Sequence, residues 1–184
     1  MADALSLVEA SSPRDVVQAA GEWLAEPLTE SGFVWVPGKS SLQRTIGHRT
    51  EEIHLQGATR NRAGKMNEVS TQVVVWDRDL RGWRRANPGI ALRQNDWLVG
   101  HPLGYVAHRR NGYVYGDYRD GVMSLLDPDV RVAAVMAVGA VIHDAVLPWF
   151  ADTAAPESMA LAPEVTLGLA ASSCARMVRQ PRPG

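Results

Sequence analysis

The amino-acid sequence predicts an α+β fold: an antiparallel sheet of about five to six strands, with N-terminal and C-terminal helices packed on one face. Three observations predict it. Glu51 to Gln56 alternates, setting Ile53 and Leu55 against Glu52, His54 and Gln56. Val69, Thr71, Val73 and Val75 repeat the two-residue period within Glu68 to Trp76. Two helix starts, Ser12-Pro13 and Asp127-Pro128, flank this strand-rich middle. Alternation with one wet side marks antiparallel strands covered on a single face.

The elements follow in order. Ser12 suits an N-cap, Pro13 the first helical position and Asp15 the positive end of the helix dipole. Val16, Ala19, Ala20, Trp23 and Leu24 then recur at helical spacing, with Pro27 expected to kink or reset the helix and Ser31-Gly32 to end it. Phe33 to Val36 reads as a short strand, Pro37-Gly38-Lys39-Ser40 as a turn, and Leu42 to Ile46 as the returning strand. Arg60 to Asn67 is a polar loop, and Asp77 to Asn87 a short helix or irregular excursion closed by Pro88-Gly89. Trp97 to His108 reads as a strand, Asn111-Gly112 as a tight turn, and Tyr113-Val114-Tyr115 as its return. After Asp127-Pro128, Val132, Val135, Met136, Gly139, Ile142 and Val146 make a helix apolar almost all round, expected to be buried against the sheet and to end at Pro148. Thr153 to Met159 suggests a last short helix. Trp23, Val73, Val75, Met136 and Ile142 are expected to share one core, in a single domain over residues 12–170 with a flexible 1–11 and a frayed 171–184.

Composition narrows the function classes. The 184 residues are 46% hydrophobic and 21% charged, ordinary globular usage. A net charge of -1 gives no global pull toward nucleic acid or an anionic membrane. The lone Cys174 can form neither an internal disulfide nor a thiolate cluster. The start MADALSLVEASSPRD lacks the basic and apolar parts of a signal peptide, and the uncharged run Val132 to Ile142 is too short to span a bilayer. A cytoplasmic location without a membrane partner is the expectation.

Chemistry-bearing motifs are few. His48 and His54 are six apart, His101 and His108 seven apart, and neither pair has a metal-ligand spacing. No GxSxG, GxGxxG or Walker pattern occurs. No metal and no cofactor is therefore expected. Weak catalytic candidates are Glu52, His54 and Glu68. Together with Glu51, Asp117 and Asp120, these carboxylates could approach one another on the outer sheet face, where a raised pKa would allow acid–base work. The competing reading is a solvated strand face. The second cluster is Arg81, Trp83, Arg84, Arg85 and Trp97. Arginine and tryptophan together suit a protein interface or stacked single-stranded nucleic acid; the near-zero net charge demotes the latter.

The order SGFVWVPGKSSLQRTIG, EEIHLQGATR, EVSTQVVVWD, GHPLGYVAHRRNGYVYGDYRDG and VIHDAVLPWFADTAAPESM resembles a bacterial family catalogued as domain-of-unknown-function 4304, over roughly residues 15–160. Where that family often carries a tryptophan pair after the LGY-like strand, this chain has Tyr113, Val114 and Tyr115. The resemblance implies the fold but no catalytic residue. Some relatives look immunity-like, which implies a protein-binding role. Three functions follow as expectations: a non-enzymatic protein binder, with another protein or a second copy as partner; a small enzyme using outer-face carboxylates and His54; and a single-stranded nucleic-acid binder.

Overall fold

The computed structural model describes residues 4–87, 96–107 and 121–154. The elements are α1 (Ala4–Glu9), α2 (Pro13–Leu28), β1 (Val34–Val36), β2 (Ser41–Ile46), β3 (Arg49–Gly57), β4 (Glu68–Asp77), α3 (Arg78–Ala86), β5 (Trp97–Pro102), α4 (Leu103–Ala107), β6 (Val122–Ser124), α5 (Pro128–Val141) and α6 (Leu147–Asp152). A π-helical turn, Ile142–Val146, joins α5 to α6. The six strands form one sheet in the order β1-β2-β3-β4-β5, every pairing antiparallel. β6 shares an edge of β4 with β5: β5 pairs along Gln72–Trp76 and β6 along Glu68–Ser70. This is the α+β fold the alternation predicts.

Local chemistry explains the entry into the sheet. Ser12 Oγ accepts the Asp15 N–H at 3.1 Å, and Pro13 occupies the first turn of α2. Val16, Ala20 and Leu24 are fully buried along that helix. α2 stops at Leu28, short of the expected Ser31-Gly32: the Thr29 N–H turns to the Glu26 carbonyl at 3.3 Å, and Thr29 Oγ1 donates to the Ala25 carbonyl at 3.0 Å. Gly21 has a packing reason: a Cβ there would lie 2.3 Å from the Trp35 indole, so β1 can close onto α2 only over a glycine. Between β2 and β3 the loop is only Gly47-His48, and Gly47 takes φ +62° at its first position, as a tight hairpin prefers. β3 consequently begins at Arg49, earlier than its apolar alternation suggests.

The inner face carries Ile53 and Leu55 of β3 and Val69, Val73 and Val75 of β4, all at most 1% exposed. Across from them pack α2 and the late helices, with Phe33 stacked on Phe150 at 5.9 Å and Trp149 against Phe150 at 5.3 Å. Val73, Val75 and Ile142 share this core, and Trp23 packs against it half-buried. Met136 does not belong to it.

Four expectations need correcting. The strand expected over Trp97 to His108 ends at Pro102, and Leu103–Ala107 is helical. Leu103 and Val106 turn inward together at helical spacing, and Gly121 sits so close that a Cβ would lie 3.0 Å from Leu103 Cβ. Asn111-Gly112 and Tyr113 to Tyr115 lie outside the described residues, as does Thr153 to Met159 beyond Ala154. Second, α5 is not buried all round: Met136 is 55% and Val130 46% exposed, because only one side of this helix meets the core. Third, Pro148 does not end the helix. The wider π turn before it needs no bond from the missing proline N–H, and the helix continues to Asp152. The continuous rod Pro128–Asp152, 25 residues with a mean hydropathy of 1.8 over its most apolar window, is long and apolar enough to cross a membrane by length and composition; 33% of that window is buried in the fold. Fourth, within the 1–11 segment expected to be flexible, α1 forms and Leu7 is fully buried.

Candidate functional site

The side of the sheet away from α2 and the α5–α6 rod holds the predicted catalytic candidates Glu52 and His54. The register sets His54 beside Gln72, Glu52 beside Val74 and Thr50 beside Trp76. β2 adds Gln43 next to Glu52, and β5 adds Trp97 opposite Trp76. Trp76 Nε1 donates to Glu52 Oε2 at 2.7 Å, which fixes both side chains. His54 Nδ1 stands 4.0 Å from Glu52 Oε1, beyond hydrogen-bond length. Trp97 lies over the strand at Gly100, where a Cβ would come within 3.0 Å of its Nε1 and 3.2 Å of Val74 Cγ2. Glu52, His54, Gln72, Val74, Trp76 and Trp97 are all half-buried. The result is an aromatic and aliphatic strip, Trp97-Val74-Trp76, bordered by hydrogen-bonding side chains.

The other predicted residues do not join this strip. Glu68 shares its face but is four residues along β4 from Gln72, about 13 Å away at strand rise. It is exposed, and its backbone is clasped by Asn61, whose Oδ1 accepts the Glu68 N–H at 2.9 Å while its Nδ2 donates to the Glu68 carbonyl at 2.7 Å. Glu51 points the other way, into the core side. Asp117 and Asp120 lie outside the described residues. On α3 the arginines separate by helical geometry. Arg81 and Arg85, four apart, are exposed, whereas Arg84 is buried and donates from Nη1 to the Trp97 carbonyl at 2.8 Å. Trp83 packs half-buried against the core. Thus α3 and β5 are tied together, but the arginines and tryptophans do not form one platform.

Two buried cationic clusters were invisible to motif reading. Arg44 donates to Glu51 Oε2 from Nε at 2.9 Å and Nη2 at 2.5 Å, and Arg49 Nε donates to Glu51 Oε1 at 3.1 Å. Arg49 also reaches the Phe150 carbonyl at 2.9 Å, Thr153 Oγ1 at 2.6 Å and the Thr153 carbonyl. Burial pushes the Arg49 guanidinium below its ordinary value, opposed by the neighbouring Glu51 carboxylate. Arg131 is likewise lowered by burial, with Asp127 acting the other way. Both clusters bond hairpin or helix to distant backbone, a structural task. The signal available was parity: Arg49 and Glu51 fall on the same alternation as Ile53 and Leu55.

Two further features stand apart from the strip. An open cleft of about 400 Å³ lies between the first turns of α2 and the end of β3, lined in part by Arg14, Gln18, Ser40, Leu55 and Asn61; none of the predicted site residues lines it. His48, Asp77 and Asp79 gather at the β2–β3 turn, with His48 Nε2 3.5 Å from Asp77 Oδ2 and Nδ1 3.6 Å from Asp79 Oδ2. Linear histidine spacing could not show this trio, because the two aspartates arrive from β4 and α3.

The fold and this sheet face define a small α+β domain with an open, partly apolar sheet surface. The chain matches no protein-family model, no curated protein and no solved structure.

Proposed function

We propose that this is a non-enzymatic, cytoplasmic bacterial binding protein that recognises another protein through the outer face of its sheet. One observation carries the reading: the Trp97-Val74-Trp76 strip is half-exposed, and the hydrogen bond from Trp76 to Glu52 holds it in place. An apolar centre with tryptophan anchors and a polar rim is the composition that protein interfaces favour. Acid–base chemistry gains less support, since Glu52 is engaged by Trp76 and Glu68 stands too far off to pair with it. A nucleic-acid platform gains less still, since Arg84 is buried away from Arg81 and Arg85.

The test is capture of a partner by the full chain immobilised through a terminal tag, compared with Trp97→Ala and Trp76→Ala. A protein retained by the wild type and released by both variants supports the reading. Retention that both variants leave unchanged, or no partner at all, counts against it. Steeply salt-dependent binding of single-stranded DNA would favour the nucleic-acid alternative instead.

A further inference from the structure

We propose that the outward face of α5 is a self-association surface, on which a second copy of this chain packs its own α5 antiparallel about a two-fold axis at Met136. The surface lies across the sheet from the Trp97-Val74-Trp76 strip and does not depend on it.

α5 is dressed differently from a helix that faces water. On α2 the exposed positions are Arg14, Asp15, Glu22, Glu26 and Pro27, all charged but one. That is the composition a solvated helix face calls for. Between Asp129 and His143 the exposed positions are Val130, Ala133, Met136, Ala137 and Ala140, with no polar side chain among them. The one charged residue of that stretch, Arg131, is buried. Leu126 and Val8 extend the patch: both are exposed, and Arg131 donates to the carbonyls of both, which places them at the N-terminal end of this helix. Thus four of the six large apolar side chains exposed among the described residues gather here. A concentration of that kind marks an interaction surface.

The charges at the ends of the face favour a second copy as the occupant. Asp129 and His143 stand seven residues before and after Met136, so the three fall on one line along the helix, and all three are exposed. Among the described residues the Asp129 carboxylate has no partner; only its N–H is engaged, by Asp127. In an antiparallel pair centred on Met136, Asp129 of each chain comes opposite His143 of the other. His143 Nδ1 already meets Asp144 Oδ1 at 3.0 Å, which leaves Nε2 for that carboxylate. The two pairs, about 21 Å apart at helical rise, would bracket the apolar centre. A parallel pair would set Asp129 against Asp129 and align the two helix dipoles, so the antiparallel one is preferred. The same patch on both chains is what a two-fold interface requires. A lipid surface fits less well, because helices that lie on membranes carry lysine and arginine beside the apolar face, and none is exposed on this one.

A single helix face falls short of the roughly 800 Å² per partner of a standard interface, so the pair should be weak, with a Kd of about 10–100 μM. Dilute chains are then monomers in which Met136 stays in water.

The test is sedimentation equilibrium of the full chain over roughly 5–500 μM. A reversible monomer–dimer equilibrium is expected. Met136→Asp sets two like charges together at the axis and should weaken it roughly tenfold or more, while melting like the wild type at low concentration. Asp129→Lys and His143→Glu should each weaken it roughly threefold to tenfold, and the double variant, which restores opposite charges, should recover most of the loss. That recovery keeps the test decisive even if Met136→Asp misfolds. A wild type that stays monomeric throughout would overturn the proposal, including the case in which residues 155–184 cover the face within one chain. A dimer that Met136→Asp leaves intact, or that Trp97→Ala dissociates instead, would overturn it as well. Failure of the double variant to recover would overturn the antiparallel register. Capture of another protein through Trp76 and Trp97 is read separately, so either proposal can fail without the other.

Discussion

Arg131 shows how much of this fold hangs on one side chain. Its guanidinium donates to the Leu125 carbonyl at 2.8 Å, to those of Leu7, Val8 and Ala10 at 3.0, 3.1 and 2.8 Å, and to that of Leu126 at 3.4 Å. The α1 carbonyls have no helical partners at that end, so the arginine acts as a cap supplied from α5. Arg131→Met keeps the bulk and strands several buried carbonyls. It should cost about 2–4 kcal/mol, read as a lower urea midpoint. Glu51 is the second such residue. Glu51→Gln would leave the buried Arg49 and the half-buried Arg44 without their counter-charge, and a loss of about 3–5 kcal/mol is expected by the same measurement. The replacement of Glu51 and Arg49 together by apolar residues should be milder than either alone, because no unpaired charge remains.

At the scale of elements, the late helix departs most from its sequence pattern. Its apolar residues fill most of its circumference, yet one side looks outward. Two substitutions separate those sides. Met136→Ala should change stability by less than about 0.5 kcal/mol, whereas Ile142→Ala, at a fully buried position, should cost about 2–5 kcal/mol. Equal effects would show that the exposed side is covered. Its start is a capped one: Asp127 Oδ1 accepts the Asp129 N–H at 3.0 Å, and Asp127→Ala should cost about 1 kcal/mol in the same assay. The strand boundaries read from the sequence were off where a turn or a glycine decided them. Gly47 shortened the β2–β3 loop to two residues, and the close approach of Gly121 accompanies the helical turn Leu103–Ala107.

For the whole molecule, the sheet divides the labour. One face is buried by helices from both ends of the chain, and the other carries the half-exposed Trp97-Val74-Trp76 strip. A substitution on that strip should change recognition more than stability. Trp97→Ala is therefore expected to melt within a few degrees of the wild type while losing the captured protein. A variant that instead unfolds would show that the indole over Gly100 is part of the structure rather than of an interface. The candidate strip was only partly legible. The alternation placed Glu52, His54 and Trp76 on one face, but nothing local said that Trp97 would land beside Trp76, since their pairing depends on a bulge between Val75 and Trp76.

Local periodicity alone determined the antiparallel sheet, the inward set Ile53, Leu55, Val69, Val73 and Val75, and the capped starts at Ser12 and Asp127, because these depend on neighbours a few residues away. Tertiary structure decided the rest. Arg131 finds carbonyls more than a hundred residues earlier, Arg49 finds Phe150 and Thr153, and His48 meets Asp77 and Asp79. Each of these polar groups takes its role from partners distant in the chain, and only folding determines which ones it meets.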